Sequence, residues 1–196
     1  MKNNNGTNGT AQPFDLQKAM TPKSLLRHPN TMSMPRELAK GNWQPVLDDE
    51  SARSRASQIR RLILCSGKIA VDMFTSRYYP DATAIAIVRI EQLYPFPSDV
   101  LRQVIESYSL IEEVVWVQEE PENMGAWNFA RWNIQELING RLPLRYIGRK
   151  RSSSPAEGSA TLHGARQDSI VRFALTVERP TKKEEEKSAE VSVSQR

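Results

Sequence analysis

The chain has 196 residues, 39% of them hydrophobic, with 27 basic and 23 acidic side chains and a formal net charge of +4. Its mild basicity, an isoelectric point of about 9.3, is interspersed with acids and not gathered into a stripe with aromatics, which argues against a nucleic-acid partner. No apolar run approaches the roughly 20 residues needed to span a bilayer, and residues 1–12 hold no apolar signal core, so a cytoplasmic chain is expected.

A single cysteine, Cys65, excludes an internal disulfide, and two histidines, His28 and His163, give no basis for a histidine-built metal centre. The mean hydropathy of −0.55 implies that part of the length joins no core. Residues 1–19 read as a disordered lead, their first twelve rich in Asn, Gly and Thr. Residues 20–58 read as a lead-in, with 48–58 (DDESARSRASQ) as a polar linker, and 59–178 as the compact domain. Residues 179–196 read as a disordered charged tail.

Within the compact part, Arg61–Cys65 (RLILC) is a buried strand ending at Ser66-Gly67, and 68–78 a helix. Thr83–Ile90 is a β-branched strand. Ser98 is placed as the N-cap of a helix that buries Val100, Leu101, Val104 and Ile105 at helical spacing. Glu113–Gln118 is a third strand, and 126–139 a helix carrying Phe129, Trp132, Ile134, Leu137 and Ile138, stopped by Gly140. Leu144–Ile147 is a fourth strand and 159–177 mostly a last helix. Strands alternating with helices need crossovers, so the fold class is α/β, a largely parallel sheet with helices on both faces, with disordered tails. In such sheets ligands and partners gather at the carboxyl ends of the strands. Those ends are 66–68, 89–96, 119–127 and 148–159.

These ends carry specific motifs: SGK (66–68), VRIEQLYPFP (88–97), WVQEEPENMGAW (116–127) and GRKRSSSPAEGSATLH (148–163), preceded by MTPKSLLRHP (20–29) and PRELAKGNWQPVLDD (35–49). In order and spacing they resemble the C-terminal domain of the thiamine-dependent decarboxylase component of 2-oxoglutarate dehydrogenase, over about residues 20–178, with the fold of a transketolase C-terminal domain. The resemblance implies a domain of an enzyme that decarboxylates 2-oxoglutarate and passes the succinyl group to lipoamide in the tricarboxylic acid cycle. It implies thiamine diphosphate and Mg in the parent family, a homodimer, and a lipoyl acyltransferase component as partner within a multienzyme complex. The family's Gly-Asp-Gly start of the metal site is missing here, and neither histidine belongs to the family's substrate-binding motifs. No catalytic, cofactor-binding or metal-binding residue is therefore assigned. The expectation is a structural and dimerisation domain, inactive unless joined by thiamine-binding domains on a separate or missing chain. Where the family has an apolar strand, this chain has PFDLQKA (13–19).

Several residues merit individual readings. Arg149, Lys150, Arg151, Ser152, Ser153 and Ser154 form a candidate anion or nucleotide site, since cations and hydroxyls near a helix start suit phosphate. A rival reading of the whole chain follows, an orphan module binding a nucleotide or acetyl-CoA; a solvated basic loop is the blander account, and a poorly folding fragment is a third reading. Glu119 and Glu120 could do acid–base work, but adjacent strand residues face opposite ways, so an ion pair or a cap is the reading preferred. Cys65 reads as a small buried hydrophobe. Trp127 and Trp132 do not share a stripe, so one suits the core and one an interface. The resemblance makes Arg27, His28, Lys68, Glu91, Gln92, Glu119, Glu120, Asn123 and Trp127 candidate contacts with neighbouring domains or a second subunit, with Arg27 and His28 anchoring the lead-in to the sheet.

Overall fold

A computed structural model describes residues 22–32 and 34–177, and the readings of 1–19 and 179–196 fall outside them. Two compact units divide after Met32. In the first, single 3-10 turns form at Lys23–Leu25 and Pro29–Thr31. Pro29 suits its place because a helix start has no partner for an N–H there. His28 Nδ1 accepts from the Asn30 amide at 3.3 Å, and the Thr31 hydroxyl lies 2.8 Å from the His28 carbonyl. Arg27 is exposed in the turn between them.

The second unit contains helix α1 (Pro35–Lys40), strand β1 (Val46–Leu47), α2 (Glu50–Arg53), β2 (Arg61–Cys65), α3 (Ile69–Phe74), β3 (Ile85–Ile90), α4 (Ser98–Ser107), β4 (Glu113–Pro121), α5 (Trp127–Ile138), β5 (Leu144–Arg149) and α6 (Ala160–Leu175). The strands form one sheet in the order β1-β3-β2-β4-β5. β2 lies parallel to both neighbours, β5 parallel to β4, and only β1 is antiparallel, with Val46 opposite Ile90.

The two-residue period of β2 sends Leu62 and Leu64 to one face and Ile63 and Cys65 to the other. The first face packs Trp116, Val88 and Val114 against Leu101 and Val104 of α4 and Ala130 and Ile134 of α5. The second packs Ile87, Val115 and Val117 against Ile69 and Met73 of α3 and Ile170 and Ala174 of α6. A sheet covered on both faces explains why every residue of β2 is buried.

Several expectations change. The stretch 48–58 is folded, not a bare linker: Asp49 is buried, caps α2 by accepting from Ala52 N (3.1 Å), and its other oxygen accepts from Ile87 N (3.2 Å) beside β1. Asp48 accepts from the Tyr108 hydroxyl at 2.7 Å and pairs with Arg53 at 2.7 Å, while burial, then that carboxylate, pushes the Tyr108 phenol upward. Ser98 is the first helical residue of α4 and makes no side-chain cap; Pro97 is the N-cap. Val100 is 40% exposed, on the outer side of α4. α3 is shorter than 68–78, whereas β4 and β5 run further, to Pro121 and Arg149, so Glu119 and Glu120 lie inside β4. α5 ends as expected: Asn139 turns left-handed (φ 46°) and Gly140 follows at φ 70°.

Candidate functional site

Two clefts include motif-loop residues. The first, about 660 Å³, opens at the carboxyl ends of β2 and β4 and is lined by Ser66, Gly67, Leu93, Tyr94, Trp116 and Phe129, with Gln118, Glu120, Gly125 and Ala126 completing it. Three of the motif loops thus meet in one place. Its rim is apolar: Tyr94 is 84% exposed and Phe129 stacks edge-on against Phe96 (6.1 Å). Further along α5, Trp132 is 63% exposed and lies beneath the guanidinium of Arg131 (4.7 Å). Trp127 points the other way, is 8% exposed, and packs against Tyr146 at 5.3 Å. The five-residue spacing divides the pair between core and surface.

Gln118 builds the floor. It is buried, its Oε1 accepts from Trp116 Nε1 (2.9 Å) and Trp127 N (3.1 Å), and its Nε2 donates to the carbonyl of Met124 (2.8 Å), with those of Glu120 and Pro121 at 3.3 and 3.2 Å. The amide satisfies the first turn of α5 and the inside of the 119–127 loop together. The capping role expected of Glu119 or Glu120 belongs to this residue. Gly125 permits the approach through φ 65°, and a Cβ there would sit 3.1 Å from the Gln118 amide. A polar residue at an inward strand position was the available signal.

Glu119 faces the α3–α6 side. Its carboxylate accepts from Gln167 Nε2 (2.9 Å) and lies 3.8 Å from Lys68 Nζ, which also pairs closely with Asp72. Burial pushes the Glu119 carboxyl above its ordinary value, against the pull of Lys68. Glu120 is exposed on the cleft side. The two carboxylates diverge, so no convergent acid–base pair exists there. Glu91 lies 3.6 Å from Arg89; Gln92 accepts from Trp43 Nε1 (3.2 Å) and donates to the Pro95 carbonyl (2.9 Å). Asn123 exchanges two bonds with the Ser152 backbone, at 2.9 and 3.0 Å, tying the two motif loops together.

The second cleft, about 550 Å³, lies between β5 and α6 and includes Arg149, Lys150, Arg151, Ser152, Arg166 and Ser169. Arg149 turns inward: Nη2 reaches His163 Nδ1 (3.1 Å) and Gln167 Oε1 (3.3 Å), and Nε lies 3.8 Å from Glu157. Lys150 and Arg151 remain exposed. Ser154 donates to the Ala156 carbonyl (3.0 Å), and Ser153 is exposed. Cys65 is fully buried, and burial pushes its thiol up to about 12.

Comparison with known proteins identifies the domain: residues 32–175 match the family described as 2-oxoglutarate dehydrogenase C-terminal. The chain belongs to that family. It is 43% identical over 162 residues to the 2-oxoglutarate dehydrogenase E1 component of Bacillus anthracis (strain A0248), and 41% identical over 162 residues to that of Bacillus cereus (strain G9842). Each match covers 81% of this chain and 17% of the relative, so the chain spans about a sixth of the length of the curated relatives it matches. Among solved structures, a split gene transketolase, described as an inactive beta4 tetramer, is similar at TM-score 0.45 and 18% identity, over 70% of this chain and 44% of that one.

The resemblance makes thiamine diphosphate and Mg the groups to test against this family member's residues. Among the described residues, no three His, Cys, Asp or Glu side chains converge as a metal site. Glu120 is the one carboxylate lining the apolar cleft, and the β5–α6 cleft is lined by cations. These described donors do not fit a divalent metal. No helix among them is long and apolar enough to cross a membrane.

Proposed function

We propose that this chain serves as the C-terminal domain of a thiamine-dependent 2-oxoglutarate dehydrogenase E1, working in the cytoplasm and catalytically silent without the domains that hold thiamine diphosphate and Mg. The enzyme so completed decarboxylates 2-oxoglutarate and hands the succinyl group to a lipoyl acyltransferase component, as a homodimer. The observation that carries this reading is the family match over 32–175, together with the 17% of each relative that the match spans. The exposed rings of Tyr94 and Phe129 in the cleft at the carboxyl edge, with exposed Trp132 further along α5, support it, because exposed aromatic rings are the kind of surface a neighbouring domain covers. Arg27, His28, Lys68, Glu91, Gln92, Glu119, Glu120, Asn123 and Trp127 belong to this proposal as contact or supporting residues. A nucleotide-binding module is the weaker alternative, since Arg149 is committed to Glu157, His163 and Gln167.

The test is reconstitution. The chain is co-expressed with the Bacillus anthracis E1 component lacking its matching C-terminal stretch. Neither alone should decarboxylate 2-oxoglutarate, and the co-purified pair should. Failure to co-purify, or a co-purified pair without activity, overturns the reading.

A further inference from the structure

The outer edge of β5 presents a different surface from the aromatic cleft. Among the described residues, β5 pairs with β4 alone and stands at the margin of the sheet. Its residues are mostly half-buried, whereas those of β2 are all buried. Val114 N donates to the Pro143 carbonyl. Because groups on a parallel strand alternate between its two sides, this register turns the N–H and C=O of Tyr146 and Gly148 away from β4. Such unpaired groups form a template for another strand.

A groove follows that edge. The β5–α6 cleft continues into a smaller one of about 240 Å³, the two sharing Ile147, Gly148 and Phe173. Together they run from Arg145 and Thr176 at the start of β5 to Arg151 past its end. A six-residue strand covers about 20 Å, the span of a short extended peptide. Ile147, Ile170 and the exposed ring of Phe173 give the groove an apolar strip. Among the described residues its charge has one sign: the lining contains Arg61, Arg145, Arg149, Lys150, Arg151 and Arg166, and no Asp or Glu. Four of these pair with Glu113 or Glu157 behind the groove. Lys150 and Arg151 have no carboxylate partner among the described residues.

We propose that the β5 edge is a docking strand for an extended, acidic segment of a partner polypeptide, which adds to the sheet through Tyr146 and Gly148 and sets carboxylates against Lys150 and Arg151. This mode of recognition takes affinity from main-chain hydrogen bonds and selectivity from alternate side chains. A nucleic acid would meet the charge but leave the strand groups and the apolar strip unmatched. The inference stands apart from the catalytic assignment, since it uses none of the aromatic cleft.

The experiment uses the full chain and a labelled decapeptide alternating Glu with Val, read by fluorescence anisotropy and by amide exchange. Binding in the micromolar range is expected, with exchange at Tyr146 and Gly148 slowed by about tenfold or more at saturation. The double variant K150E/R151E should weaken binding by about tenfold or more while its unfolding midpoint stays put, because both side chains are exposed. N-methylation of alternate peptide residues removes the strand donors without touching the protein, and should weaken binding comparably. Equal binding by the methylated peptide, or equal affinity for a single-stranded oligonucleotide, overturns the proposal. So does absence of binding at about 1 mM. Without peptide, protection of these amides that grows with protein concentration would assign the edge to a second copy. Protection that vanishes on deleting 178–196 would assign it to the chain's own end. Either result also overturns the proposal.

Discussion

The two clefts manage their polar groups in opposite ways. Beneath the aromatic cleft, Gln118 ties Trp116, Trp127 and Met124 into one buried network, so the loop that forms the rim is held from inside. Along β5, the main chain keeps groups free and the cations Arg61, Arg145, Arg149 and Arg166 are anchored by carboxylates behind them. One surface offers preformed side-chain shape; the other offers open backbone inside a cationic frame. Rigidity in the first suits a constant neighbour, and openness in the second suits a segment that arrives extended.

The comparison breaks most sharply at Arg61. It is buried, pairs with Glu113 at 2.7 Å, and donates to the carbonyls of Phe173, Ala174 and Thr176, closing the end of α6. Arg61→Ala should cost about 2–4 kcal/mol in urea unfolding, because it leaves Glu113 with Arg145 alone and takes the side-chain donor from three carbonyls at the end of α6. Exchange should accelerate at 170–175 while Trp127 fluorescence stays native, since the damage lies on the groove side. Gln118→Leu should do the reverse: a loss of about 2–3 kcal/mol from unpaired buried groups, with fast exchange at 119–127 and an undisturbed α6.

Gly148 joins the two regions. A Cβ there would lie 2.3 Å from Tyr146 Oη and 2.9 Å from the Gln118 carbonyl. Gly148→Ala should cost about 1–3 kcal/mol, and adding Tyr146→Phe should recover only part, because the Gln118 carbonyl remains in the way. Alkaline titration gives a milder effect. Burial raises Cys65 and Tyr146 each to about 12. The unfolded chain ionises first, so the stability these groups contribute is present below their unfolded values and lost as pH climbs towards 12. Unfolding free energy should decline above roughly pH 8.5, and iodoacetamide at pH 8 should leave Cys65 unmodified until denaturant is added. The smallest change in stability is expected at exposed Trp132. Trp132→Ser should shift unfolding by no more than about 0.5 kcal/mol, yet weaken capture of the thiamine-binding portion by about 2 kcal/mol if that patch is the contact.

The long, apolar elements were legible in the sequence because their periodicity reflects burial directly: RLILC, the β-branched run ending at Ile90, the helix carrying Leu101, Val104 and Ile105, and the one that stops before Gly140. β1 was not, because two residues carry no period and Val46 becomes a strand only by meeting Ile90. α2 was hidden among polar residues, since Asp49 is buried through its bonds to Ala52 and Ile87, and pattern reading assigns a carboxylate to the surface. At the clefts, three of the motif loops line one cavity, and the Trp127–Trp132 spacing divides a buried ring from an exposed one. The motifs did not reveal Gln118, whose importance lies in five contacts that join β4 to the loop and helix after it, or the inward turn of Arg149.

Pairing of β1 also has a consequence for how the domain is made. Synthesis delivers Val46 and Leu47 before β3, the strand they must join, has been built. β2 then appears, and β3 and β4 settle on its two sides in turn. Chain order thus supplies the marginal strand β1 before its partner β3, and the central strand β2 before both of its neighbours.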